Sequence, residues 1–128
     1  MIPLPPSSLL SSARRIVIKI GSALVVDEKG ARKDWLDALA AEVRAALDRG
    51  QEILIVTSGA VALGRPALGI GPKERSAAIP LERRQAAAAV GQFYLFAAWR
   101  EAFSAHGVTA AQILLTTFET EDRRMHLN

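Results

Sequence analysis

A lysine inside an apolar, β-branched run is the first feature of this chain that calls for a chemical explanation. The run reads Arg-Ile-Val-Ile-Lys-Ile-Gly-Ser over residues 15–22 and indicates a buried parallel strand. Lys19 lies near the carboxyl end of that strand, where open α/β sheets bind their ligands. Two interpretations are open: a cation directed at a phosphate, with Gly21 allowing close backbone approach, or an edge-strand lysine that hinders aggregation.

A second strand is predicted from Glu52 to Val56, and small polar residues follow it. Ser58, Gly59 and Ala60 come at the start of a predicted helix that runs from Ala60 to about Leu68. The free N–H groups and the positive dipole end of such a helix suit an anion. An ordinary helix N-cap after a tight turn is the alternative interpretation.

The elements between these loops follow from the spacing of apolar residues. Apolar side chains recur every three or four residues from Leu36 to Leu47, which predicts an amphipathic helix capped by Asp34 and ended by Gly50. Strand, helix and strand in this order form a βαβ unit with parallel strands. Both loops are therefore expected at the same edge of the sheet.

The remaining segments are predicted more coarsely. Residues 1–13 read as a flexible N-terminal extension, residues 22–33 as a solvated turn and residues 64–80 as a helix end with a mobile loop. A long helix is predicted from Leu81 to His106, ended by Gly107, and a third strand from Val108 to Leu115. Residues 116–128 are expected to begin another helix. The predicted domain covers residues 14–128.

Composition excludes several classes of protein. The 128 residues suit one domain, and the net charge of +3 does not argue for nucleic-acid binding. The absence of cysteine excludes disulfides and thiolate metal sites, and it agrees with a cytoplasmic protein. No apolar stretch reaches about 18 residues, so no membrane span is expected. His106 and His126 lack metal-ligand spacing, and Ser58 lacks the surroundings of a hydrolase nucleophile.

Several segments, taken together, resemble the amino-acid kinase family, and within it the branch that acts on glutamate. Their order and spacing match across nearly the whole chain after residue 14. The matching segments are residues 16–22, 55–65, 85–92 and 112–116, with 121–124 and 127–128. The resemblance implies an α/β fold: a three-layer αβα sandwich on a mainly parallel sheet, here truncated.

The resemblance also implies an activity, which is ATP-dependent phosphorylation of the side-chain carboxylate of L-glutamate, with Mg²⁺. By this match Lys19 is the catalytic lysine on the transferring phosphate, and Gly21 and Ser22 form the phosphate-side loop. Ser58, with Gly59 and Ala60, matches the loop that holds glutamate. No residue is expected to bind a metal by itself. A carboxylate with a pKa of about 4.3 is already ionised near neutral pH, so no general base is needed.

Some features depart from the family pattern. Ala23, Arg84 and Thr117 stand where the family often has a hydroxyl residue, a lysine and an arginine. The match covers about half of a kinase domain, so the chain is expected to be a fragment with little activity alone. Its exposed apolar surface is expected to cause self-association or poor folding. A homo-oligomer is expected at full length.

Two other functions remain open. The same fold can phosphorylate a different small acid, such as acetylglutamate. A non-catalytic, anion-binding relic is the third possibility.

Overall fold

The structure is a computed structural model that describes residues 6–71 and 73–115. Its described elements alternate between helices and short strands in the order of an α/β protein. In chain order they are α1 (Pro6–Ser12), β1 (Arg15–Ile20), α2 (Ser22–Val25), β2 (Val26–Asp27), β3 (Gly30–Ala31), α3 (Lys33–Asp48), β4 (Glu52–Thr57), α4 (Ala60–Gly64), 3-10 turns Pro66–Leu68 and Ser76–Ala78, and α5 (Leu81–Ala105).

The strands β1 and β4 pair in parallel, as the βαβ pattern predicts. Lys19 lies beside Val56, and Ile20 lies beside Thr57 at the carboxyl ends of the two strands. The β-branched residues that dominate both strands favour this pleated, half-buried backbone. The α/β class and the parallel sheet are therefore confirmed.

Helices α3 and α5 cover one face of this parallel pair. Leu36 and Val43 of α3 and Leu95 of α5 are buried with Ile20 in one apolar cluster. Trp99 joins them, and its ring stacks on Phe103 with 5.6 Å between the ring centroids. This packing fixes the strand ends because the sheet and both helices share one core.

The other face of the parallel pair is exposed in the described part of the chain. Val17 is 60% exposed and Val56 53% exposed, and Lys19 lies on the same face by the alternation of the strand. The structure therefore shows two layers of the expected three-layer sandwich within residues 6–71 and 73–115.

Three local predictions near the amino terminus differ from the structure. Residues 22–31 form α2 and the antiparallel β2–β3 hairpin, where the sequence pattern predicts a turn. Asp34 lies in the first turn of α3 and does not cap it, because the helix already begins at Lys33. Pro6–Ser12 is helical, although a loose extension is predicted, and the Gln51 side chain donates hydrogen bonds to the carbonyls of Leu10 and Ala13.

Two further predictions differ towards the carboxyl end. Residues 108–115 form no strand, so the predicted third strand is wrong for the described residues, and Ile113 is 80% exposed. The helix that begins at Ala60 ends at Gly64 and gives way to a 3-10 turn, because Pro66 cannot continue it. The long helix α5 and its end before Gly107 are confirmed. The helix predicted after residue 115 lies outside the described residues.

Candidate functional site

Hydrogen bonds join the two strand-end loops directly. The Ser58 N–H donates to the Ile20 carbonyl at 3.1 Å, and the Ser58 hydroxyl donates to the same oxygen at 3.3 Å. Because Ile20 ends β1 and Ser58 follows β4, these bonds continue the parallel ladder by one residue beyond the strands. The loops after β1 and β4 therefore lie together, as the parallel topology predicts.

A pocket of about 380 Å³ opens beside this junction. Ser22 from the first loop and Ser58, Gly59 and Ala60 from the second contribute to its walls. The remaining lining residues are Thr57, Val61, Ala62, Arg65, Ser76, Gln92 and Leu95. The volume lies in the range typical of small-molecule sites, and the mixed lining of hydroxyl, amide, guanidinium and apolar groups suits a small polar ligand.

Gly59 gives the second loop its shape. Its φ of 129° lies in a region that side-chain-bearing residues rarely adopt. An added Cβ would also approach Cγ2 of Val26 to 3.2 Å, which is tighter than ordinary contact. A glycine is thus required here, and the chain turns sharply from β4 into α4.

The close contact of α4 with α5 holds the second loop in place. A Cβ on Gly64 would come within 1.8 Å of the Ala87 carbonyl oxygen, and one on Gly91 within 1.7 Å of the Ala60 carbonyl oxygen. Only glycines allow the two backbones to approach this closely. The small residues near residue 91 are therefore used for helix packing, and they position Ala60 in the pocket wall.

Lys19 is exposed on the uncovered face of the sheet. Within the described residues its amino group has no hydrogen-bond or salt-bridge partner, and it does not line the pocket. An unpaired ammonium group beside a strand end is free to bind an anion, but a lysine that only protects a sheet edge would be equally exposed and unpaired. Its role in catalysis stays a prediction.

Gly21 and Ser22 occupy the end of β1 with ordinary backbone angles. Gly21 has φ −76° and ψ 157°, and a Cβ built on it meets no atom within 4 Å. The fold itself therefore leaves open space at Gly21. Ser22 begins α2 and lines the pocket, so the structure brings it together with Ser58, while Lys19 and Gly21 lie outside the pocket wall.

Arg65, Ser76 and Gln92 are pocket residues that sequence reasoning did not select. The Arg65 guanidinium donates to the Gly71 carbonyl at 2.6 Å and also to the carbonyl of Glu74. These bonds tie the segment after α4 to the end of that helix. Arg65 and Gln92 stand in the matching segments 55–65 and 85–92, whereas nothing in the sequence pattern singles out Ser76.

Metal-ligand clusters and membrane-spanning helices are both absent from the described residues. No group of three or more histidine, cysteine, aspartate or glutamate side chains within residues 6–71 and 73–115 has the arrangement of a metal site. In the same part of the chain, no helix combines the length and the apolar character needed to cross a bilayer. The pocket lining, as far as it is described, combines hydroxyl, amide, guanidinium and apolar groups.

Comparison with known proteins adds a family to this geometry. Three of the similar proteins are each named glutamate 5-kinase: that of Agrobacterium fabrum is 53% identical over 120 residues, that of Cereibacter sphaeroides 50% over 119, and that of Paramagnetospirillum magneticum 47% over 123. These alignments cover 93%, 93% and 94% of this chain but 30%, 31% and 32% of those proteins. The chain thus spans about 30% of the length of the curated relatives it matches.

The sequence pattern of a whole family also matches. Residues 14–128 fit the description "Amino acid kinase family", and this range includes both strand-end loops and the helix α5 that packs behind the pocket. With nearly all of its length matched, the chain belongs to the amino acid kinase family.

Proposed function

We propose that this chain supplies the strand-end loops of an enzyme that phosphorylates the side-chain carboxylate of L-glutamate with ATP. The observation that carries the proposal is the junction of the β1 and β4 ends, where Ser22, Ser58 and Ala60 surround one pocket. The names of the similar proteins support glutamate as the acceptor.

The proposed step is a displacement at phosphorus. An oxygen of the glutamate side-chain carboxylate attacks the γ-phosphorus of ATP, the bond from that phosphorus to the β–γ bridging oxygen breaks, and ADP leaves with the electron pair. The carboxylate is ionised at neutral pH, so no proton has to be removed from it. The protein's task is to align two anions and to stabilise charge on the transferring group.

Each residue of the site has a proposed part in that task. Lys19 contributes positive charge towards the transferring phosphate, and the open space at Gly21 allows a phosphate to approach the backbone. Ser22 adds a hydroxyl on the phosphate side. The backbone N–H groups of Gly59 and Ala60 donate to the glutamate carboxylate, and the Ser58 hydroxyl exchanges its bond to the Ile20 carbonyl for one to the bound glutamate.

ATP and Mg²⁺ fit the chain to different extents. An unpaired lysine and an open glycine at a strand end suit the phosphates of ATP. Mg²⁺ prefers carboxylate oxygens, and the described residues provide no acidic cluster for it, so no step here is assigned to the metal. When bound with ATP, Mg²⁺ neutralises charge on the phosphates.

A chimera tests the proposal. The 120 matched residues of the Agrobacterium fabrum glutamate 5-kinase are replaced by their counterparts from this chain. We expect the chimera to phosphorylate glutamate, detected as a hydroxamate after the acyl phosphate reacts with hydroxylamine. In the chimera, Lys19→Ala should lower kcat at least a hundredfold, and Ser58→Ala should mainly raise the KM for glutamate.

Controls separate the alternative functions. Glu42→Ala, an exposed change on α3 away from the pocket, should leave both constants unchanged. Turnover of acetylglutamate in preference to glutamate would move the proposal to another small acid. A folded chimera without turnover of any acceptor would favour a non-catalytic anion-binding protein.

Three further properties belong to the same proposal. Because the chain spans about 30% of its relatives' length, we expect the 128 residues alone to show little turnover. The resemblance also implies a homo-oligomer and a cytoplasmic location, with no nucleic-acid or membrane partner. Size measurement and cell fractionation of the protein in its source cells test these two properties.

A further inference from the structure

Part of the pocket wall comes from the segment that joins α4 to α5. This segment, here called the linker, is described over residues 65–71 and 73–80. Ser76 of the linker lines the pocket and belongs to a 3-10 turn of three residues. A turn this short has little stability of its own. The place of Ser76 in the pocket wall therefore depends on what holds the linker.

Apolar contacts hold the linker at two points and leave its middle without a core. Ile70 and Ile79 are each 2% exposed, and both pack with the buried Ala87 of α5. Residues 73–78, which lie between them, are all exposed. Burial of apolar surface therefore does not fix the part of the linker that contains Ser76, and polar contacts are needed there.

Arg65 supplies those polar contacts with both its side chain and its backbone. Its Nη2 donates to the Gly71 carbonyl at 2.6 Å and also to the Glu74 carbonyl. The Arg65 carbonyl accepts a hydrogen bond from the Ile70 N–H at 3.0 Å. Because Ser76 follows Glu74 by two residues, the guanidinium group holds the linker immediately before the residue that reaches the pocket.

The guanidinium group is placed for the linker and not for the best bonding of its own atoms. The Arg65 Nε is buried and has no hydrogen-bond partner among the described residues, and Arg65 forms no salt bridge there. A buried donor without a partner lowers stability and is uncommon in native proteins. Its presence beside a pocket indicates that the position of this side chain serves the site.

We propose that Arg65 is a positioning residue for the acceptor pocket, because it holds the linker so that Ser76 stays in the pocket wall. The inference rests on the proposed function, which assigns this pocket to glutamate. Arg65 acts through the carbonyls of Gly71 and Glu74, and no contact with the substrate is assigned to it. Without these bonds the wall is complete in only a fraction of the molecules, and the apparent affinity for the acceptor falls by that fraction.

Kinetics of the chimera described above test the effect on the pocket. Arg65→Gln should raise the KM for glutamate about tenfold and change kcat by less than about twofold, since a filled pocket still reacts normally. Arg65→Lys keeps a cationic donor and should return the KM to within about threefold of the original. A fall in kcat with an unchanged KM would overturn the proposal.

Trypsin digestion of the 128-residue chain tests the hold on the linker without any substrate. Trypsin cleaves after Lys73 and Arg75, which are both exposed in the middle of the linker. Arg65→Gln should speed cleavage at these two bonds about tenfold, because loss of hydrogen bonds to a charged group allows the linker to open locally. Cleavage after Arg44 of α3 should keep its rate, since it reports unfolding of the core.

Arg83→Gln is the matched control. Arg83 donates to the Leu68 carbonyl at 3.0 Å and does not line the pocket, so this variant removes an arginine–carbonyl bond from another part of the linker. The KM and the cleavage after Lys73 and Arg75 should change by less than about twofold.

Three digestion results would overturn the proposal. They are unchanged cleavage of the linker in Arg65→Gln, an equal acceleration at Arg44, and an equal effect of Arg83→Gln. A chimera without turnover would overturn the proposed function instead, and the digestion alone would then decide whether Arg65 holds the linker.

Discussion

Gly21 and Gly59 follow the two parallel strands at the same edge of the sheet, but their backbones differ. Gly21 has a φ of −76°, which any residue adopts, and open space where a side chain would be. Gly59 has a φ of 129° and a neighbouring side chain within 3.2 Å of an added Cβ. The fold thus requires glycine at one loop and only tolerates it at the other.

This difference indicates that the glycine of the second loop serves folding, whereas the glycine of the first loop is available for ligand binding. The second loop has its shape before any ligand arrives, because Gly59 turns it and the contact between Gly64 and Gly91 holds the helix behind it. The first loop has no internal reason for a glycine. If Gly21 has a function, that function is the approach of a ligand to the backbone, which the proposed phosphate would provide.

The largest expected effect comes from Gly91→Ala, which breaks the support of the second loop. The added Cβ would overlap the Ala60 carbonyl oxygen at 1.7 Å, so α4 and α5 must separate. We expect a loss of about 3 kcal/mol in the free energy of unfolding, measured by urea denaturation, since forced overpacking in well-packed regions costs about this much. The pocket wall at Ala60 should move with the helix.

The sign of this change makes the measurement decisive. Alanine is a better helix former than glycine by about 1 kcal/mol, so Gly91→Ala would stabilise the chain if the two helices were not in contact. Ala86→Gly changes an exposed residue of the same helix, so its effect on the free energy of unfolding measures the difference in helix propensity alone. A Gly91→Ala variant at least as stable as the original protein would contradict the close packing of α4 on α5.

The next effect is that of Gly59→Ala on the turn itself. The backbone at Gly59 lies in a strained region for alanine, and such residues cost about 1–3 kcal/mol. We expect the free energy of unfolding to fall by about 2 kcal/mol in thermal or urea denaturation. An unchanged stability would mean that the loop relaxes to an ordinary conformation and that its shape is not built in.

The sequence predicts those parts of the fold that follow from local periodicity. The β-branched runs locate β1 and β4, the three- and four-residue spacing locates α3, and the rule for βαβ units makes the strands parallel. The meeting of Ser22 with Ser58 follows from that topology without further information. Gly107 predicts the end of α5, and in the structure this glycine has the left-handed φ of 66° that is typical after a helix.

Other features depend on contacts that no local pattern contains. Residues 108–115 look like a strand, but a strand exists only with a hydrogen-bonding partner, and none is present within the described residues. Arg65 lines the pocket, and its guanidinium also reaches the carbonyls of Gly71 and Glu74, which lie six and nine residues further along the chain. The positive φ of Gly59 is likewise a result of packing, since Gly21 looks equally suitable in the sequence.

A smaller effect concerns the opposite ends of the same two strands. There Arg15 pairs with Glu52 at 2.6 Å, and its hydrogen bond lowers the pKa of the Glu52 carboxyl, with Arg14 adding a weaker attraction. A lowered pKa means that this pair stabilises the fold above the unfolded pKa of about 4.3 and is lost as the pH falls through the folded value.

Low pH should therefore weaken the ion pair at the amino ends of the strands. The hydrogen bonds from Ser58 to Ile20 join uncharged groups and should not change with pH. We expect Glu52→Gln to lower the melting temperature slightly at pH 7 and to leave it unchanged near pH 2, where the carboxyl is already protonated. Melting curves of both proteins between pH 2 and pH 7 measure this. Parallel curves over the whole range would show that the ion pair contributes nothing.

The smallest expected effect on stability is that of Gly21→Ala, and it completes the contrast between the two loops. Alanine fits the φ of −76° and meets no atom within 4 Å, so the free energy of unfolding should change by less than about 0.5 kcal/mol. In the chimera described above, the same variant should bind ATP more weakly, because its methyl group occupies the space through which a phosphate reaches the backbone. A stable Gly21→Ala protein with unchanged ATP affinity would show that this glycine has no role in folding or in ATP binding. A destabilised Gly21→Ala protein would show that the first loop, like the second, depends on glycine for its shape.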